Sequence, residues 1–80
     1  MTDNAVSILN ALGHGTWTES YSGGMISNPD PVFGGIVDSA IATAEWFVIF
    51  NAPSLKALEG FPTRERAAEA FVIGVRVCDV

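Results

Sequence analysis

Apolar residues recur at helical spacing at Ala5, Ile8, Leu9 and Leu12, and the period changes after Gly13. This pattern predicts a short helix over residues 3–12, with Asp3 or Asn4 as N-cap and Gly13 as the residue that turns left-handed to close it. Residues 16–21 alternate instead, with Trp17, Glu19 and Tyr21 on one side and Thr16, Thr18 and Ser20 on the other, the mark of a β-strand. Ser22, Gly23 and Gly24 form a turn signal, and Pro29 and Pro31 each remove a backbone donor, so residues 22–31 are expected to be a loop.

Residues 31–44 fit two patterns. Asp30 as cap, Pro31 at the first position and a shared face of Ile36, Val37, Ala40, Ile41 and Ala44 favour a helix. Gly34 and Gly35 together oppose it by about 2 kcal/mol of helix propensity, which keeps a strand over 33–37 open. Glu45–Phe50, with its unbroken apolar run from Trp46 to Phe50, predicts a central strand buried on both faces. Residues 55–58 are expected to return as a short antiparallel edge strand with Lys56 and Glu59 outward, stopped by Gly60, Phe61 and Pro62. Thr63 is a good N-cap for a second helix whose inner side is Ala67, Ala70, Phe71 and Gly74. Alternation over residues 75–80 leaves a terminal strand open.

Together these elements describe one α+β domain spanning residues 1–80. A small antiparallel sheet of about three strands packs against the N- and C-terminal helices. Hydrophobic residues make up 49% of the chain and charged ones 16%, which places it among globular rather than disordered proteins. A core of this size supplies only about 3–5 kcal/mol, so self-association is a ready means of covering leftover apolar surface. The run from Val32 to Phe50 approaches membrane length, but Asp38 and Glu45 within it make a span too costly. With no basic leader ahead of the first apolar run, a cytoplasmic location is expected.

Charge is unevenly placed. Residues 1–55 carry five carboxylates and no lysine or arginine, whereas residues 56–80 carry four of each, so the net charge of −5 belongs to the first part. An anionic surface repels nucleic acid and favours encounter with a basic protein surface.

Individual residues offer little chemistry. His14 is the only group whose ordinary pKa lies near neutrality, yet no nucleophile or orienting partner accompanies it, and a polar loop residue after a helix end is the simpler reading. One cysteine, Cys78, and one histidine cannot build a zinc site, and Asp79 beside the thiol disfavours a reactive thiolate. Neither glycine pair sits in a phosphate-loop frame. Arg64 and Arg66, offset by Glu65 and Glu69, read as a solvated helix face rather than an anion site. No catalytic residue, metal or cofactor is expected.

The acidic set remains the one collective feature. Glu19, Asp30, Asp38 and Glu45, with Trp17 or Tyr21 as an aromatic anchor, are the candidate partner-binding residues. The strand Trp46, Phe47, Val48, Ile49, Phe50, Asn51, followed by Gly60, Phe61, Pro62, Thr63, Arg64, Glu65 at a helix start, resembles in general build the small acidic anti-CRISPR inhibitors of phages and mobile elements. That resemblance implies a non-catalytic inhibitor that binds a subunit of a CRISPR surveillance complex and blocks target DNA, without touching nucleic acid itself. The alternative is a structural or assembly subunit that forms a homo-oligomer through the aromatic strand.

Overall fold

The computed structural model describes residues 4–78. Its elements run α1 (Ala5–Asn10), β1 (Thr18–Glu19), β2 (Ile26–Asn28), β3 (Gly35–Ala40), β4 (Glu45–Phe50), β5 (Leu58–Phe61) and α2 (Arg64–Cys78). The five strands form one antiparallel meander in the order β1-β2-β3-β4-β5, so each strand pairs with its chain neighbour. Helix α2 lies across one face against β3, β4 and β5, and α1 packs against α2. The architecture is the expected α+β sheet with terminal helices, but with five strands in place of about three.

The two additional strands lie where the sequence pointed elsewhere. Within the expected loop of residues 22–31, Ile26–Asn28 pairs on both sides, because Pro29 and Pro31 follow the strand and do not interrupt it. Residues 35–40 are strand and not the favoured helix. Asp30 caps a turn: its Oδ1 accepts hydrogen bonds from the backbone N–H of Val32 (2.9 Å) and Phe33 (2.8 Å). Gly34 and Gly35 then permit close approach. A Cβ on Gly35 would collide with the Ile49 carbonyl oxygen and stand 2.7 Å from the Phe71 ring, and one on Gly34 would collide with the Asn28 carbonyl oxygen. The pair that weakens a helix is what lets β3 lie against its neighbours.

Other boundaries also shift. Helix α1 is shorter than expected, and Gly13 has the anticipated positive φ of 76°; Asp3 lies outside the described residues. Strand β5 begins at Leu58 and includes Gly60, whose φ of 88° accommodates an extra residue between the Val48–Leu58 and Trp46–Phe61 pairs, where Glu59 and Gly60 stand opposite Phe47 alone. Gly60 bulges the edge strand and does not end it. Helix α2 starts where Thr63 indicates, with the Thr63 Oγ1 accepting from the Arg66 N–H at 3.1 Å, and continues through Cys78. Residues 75–78 are therefore not a strand, and Val75 is buried along the inner stripe of α2 with Ala67, Ala68 and Phe71. Asp79 and Val80 lie outside the described residues.

Phe71 is the centre of the core. Its ring meets Trp17 edge-on at 4.9 Å and stacks with Phe50 at 4.6 Å, among Leu9, Ile26, Val37 and Val48. Strand register explains the lining. Val37 pairs with both Ile26 and Val48, and all three are fully buried, so this is the helix-covered face. Strand β4 is buried on that one face only, since Ile49 is 42% exposed.

Candidate functional site

Alternation along each strand leaves the opposite face of the sheet without a covering helix among the described residues. Thr18, Ser27, Ile36 and Ile49 form one row across it, Asp38 and Phe47 the next, and Ala40 and Glu45 a third. The face therefore carries apolar Ile36, Phe47 and Ile49 beside two carboxylates. Glu59 on β5 joins them, because Glu45, Phe47, Glu59 and Gly60 line one cavity of about 200 Å³. The Glu45 Oε2 comes within 3.9 Å of the Cβ position of Gly60, so the bulge admits this carboxylate to the edge of the face. Asp38 is held by the Ser39 N–H, which donates to its Oδ1 at 2.8 Å. Among the described residues, Asp38, Glu45 and Glu59 form no ion pair.

The remaining candidate residues do not join this face. Glu19 pairs with Ile26 and so projects to the helix side, where its Oε2 lies 2.6 Å from the Arg64 Nη1 and accepts the Gly23 N–H at 3.2 Å. Arg64 is buried at 6% exposure, and its Nη1 also donates to the Gly24 carbonyl at 2.9 Å. The expectation of a solvated Arg64 is thus overturned, and so is that of an acidic segment without counter-charge at Glu19. Trp17 is only 2% exposed and packs on Phe71, which removes it as a surface anchor. Its Nε1 finds no acceptor among the described residues. Tyr21 is 68% exposed but sits on the β1–β2 hairpin, lying so close over Gly24 that a Cβ there would collide with its ring.

Asp30 belongs to the turn before β3. The N–H groups of Phe33 and Val32 stabilise its carboxylate and hold its pKa below the ordinary 3.8. A lowered folded-state pKa means that the turn's contribution to stability is present above the unfolded value and is lost as pH falls through the folded one. An NMR titration of the Asp30 carboxyl is expected to give a midpoint below 3.8. A midpoint at or above it would contradict the capped turn.

His14 lies flat on Phe33, with ring centroids 3.8 Å apart, and its carbonyl accepts from the buried Asn28 Nδ2 at 2.9 Å. The adjoining cavity is lined by Leu12, Phe33, Val75 and Arg76, which bring no nucleophile to the imidazole. No group of three potential metal ligands occurs among the described residues, and no described helix is long and apolar enough to cross a membrane.

Strand pairing thus unites Asp38 and Glu45 and adds Glu59, Phe47, Ile36 and Ile49. Within β4 only Glu45 is polar, so the sequence carried no alternation that separates Phe47 and Ile49 from Trp46, Val48 and Phe50. Comparison with protein-family models, with curated proteins and with solved structures finds no match.

Proposed function

We propose that the protein is a non-catalytic binding module that docks the open face of its sheet on a basic surface of a larger protein, one that ordinarily receives nucleic acid. The observation that carries this reading is the set of unpaired carboxylates of Asp38, Glu45 and Glu59 around Phe47. Backbone register fixes their spacing, so little is lost in ordering them. A partly desolvated charge pair at 4 Å contributes about 4 kcal/mol at an effective dielectric of 20, and a rim pair far less. Steering and specificity come from the carboxylates, and Phe47 with Ile36 and Ile49 supplies apolar area. In this reading the face stands in for phosphates. The resemblance to anti-CRISPR inhibitors makes a subunit of a CRISPR surveillance complex the first partner to try.

The same face disfavours the homo-oligomer through the aromatic strand. A second copy docked there would set carboxylates against carboxylates, and the sheet edges are a two-residue β1 and a bulged β5.

The immobilised chain is expected to retain a nucleic-acid-binding protein from host lysate, or a member of a panel of CRISPR effector complexes, at low salt. Retention should fall as salt rises and as free DNA is added. Retention that neither salt nor DNA weakens would refute docking at a phosphate-binding surface.

A further inference from the structure

Helix α2 has a second apolar stripe that the fold leaves unused. Its inner stripe of Ala67, Ala68, Phe71 and Val75 fills the core. On the opposite side Arg66, Ala70, Ile73 and Val77 follow one another at spacings of four, three and four, the seam of a two-helix coiled coil. Ile73 is 63% and Val77 72% exposed. At the N-terminal end of the seam, Phe61, Pro62, Arg66 and Ala70 border a cavity of about 380 Å³. One flank carries Glu69 and, two turns later, Arg76, and neither forms an ion pair among the described residues.

We infer that this stripe docks against the same stripe of a second copy, antiparallel about a two-fold axis. Reversal of direction puts Ile73 of each copy over Ala70 of the other, a large side chain on a small one. Val77 of each copy then meets the aliphatic stem of Arg66 at the mouth of the other's cavity. It also sets Glu69 against Arg76 twice, once toward each end of the same side of the seam. A parallel pairing would carry the two charged flanks to opposite sides of the seam and leave both charges without these partners. The charge order therefore selects the antiparallel dimer, and the surface is complementary to itself as a two-fold interface requires. This occupant differs from that of the open sheet face, which presents acid only. Because α2 covers the inner face, the dimer leaves both acidic faces outward.

The test is sedimentation equilibrium of the full chain over a concentration series up to about 1 mM, a range that reaches millimolar dissociation constants. The wild type is expected to dimerise, and Ile73→Glu, E69R and R76E are each expected to weaken the dimer at least tenfold. Mixing E69R with R76E restores opposite charges in both pairs and should recover a heterodimer, and the double variant E69R/R76E should recover a homodimer. Recovery on mixing separates the interface from any effect of either substitution on folding. A wild type monomeric throughout, or single charge variants that dimerise as tightly as the wild type, would overturn the inference. Because no other protein is present, the result is independent of whether the sheet face binds a partner.

Discussion

Phe71→Ala is expected to remove a large share of the stability of the fold, about 3–5 kcal/mol. The ring is fully buried, touches Trp17 and Phe50 and closes over Gly35, so its removal opens a cavity that three elements line together. At about 0.05–0.15 kcal/mol per residue, a domain of this length has a total stability of only about 4–12 kcal/mol. Neighbouring side chains have little room to collapse, because the space beside Gly35 is bounded by the Ile49 carbonyl oxygen, which the sheet fixes. Phe71→Leu keeps most of the volume and should cost about 1–2 kcal/mol. Urea denaturation followed by circular dichroism checks both, and an alanine variant with a near wild-type midpoint would show that the core is centred elsewhere.

Glu19→Ala is expected to destabilise the fold by about 2–4 kcal/mol, far more than loss of a surface acid. Arg64 is nearly buried, and without Glu19 its guanidinium loses the carboxylate 2.6 Å away while still donating to the Gly24 carbonyl on the β1–β2 hairpin. Glu19 itself is a third exposed, which holds the effect below that of a fully buried pair. The distinguishing result is the double variant. Glu19→Leu with Arg64→Met replaces both charges by apolar groups and should recover most of the loss, since an apolar pair avoids desolvating two ions. A double-mutant cycle by chemical denaturation measures the coupling. A Glu19→Ala variant within about 0.5 kcal/mol of wild type would place Glu19 among ordinary surface acids.

This pair also shows where sequence reasoning ended. Glu19 and Arg64 lie 45 residues apart, and local charge pattern assigned one to a docking surface and the other to solvent. Only the meander brings the first hairpin to the start of α2. Strand β4 and the cap at Thr63 were legible because they depend on adjacent residues: a run of β-favouring side chains, and a hydroxyl before a helix. Strand β3 was only half legible: a strand over 33–37 stayed open beside the helix, and the use of Gly34 and Gly35 that decides it depends on Phe71 and on the backbone of Asn28 and Ile49. Leaving β3 undecided concealed the candidate site. Once Gly35–Ala40 is a strand in register with Glu45–Phe50, Asp38 stands opposite Phe47, and the acids sort themselves into those on the open face and those that cap, pair or turn.

A side-by-side capture decides whether the open face docks a basic partner. Three immobilised chains, wild type, D38K/E45K and Y21A/D30K, are exposed to the same host lysate and effector panel at low salt, after circular dichroism has shown each to be folded. The account predicts that D38K/E45K loses the basic, nucleic-acid-binding partner that the wild type retains, while Y21A/D30K keeps it. Capture undiminished in D38K/E45K, or lost only in Y21A/D30K, would contradict it.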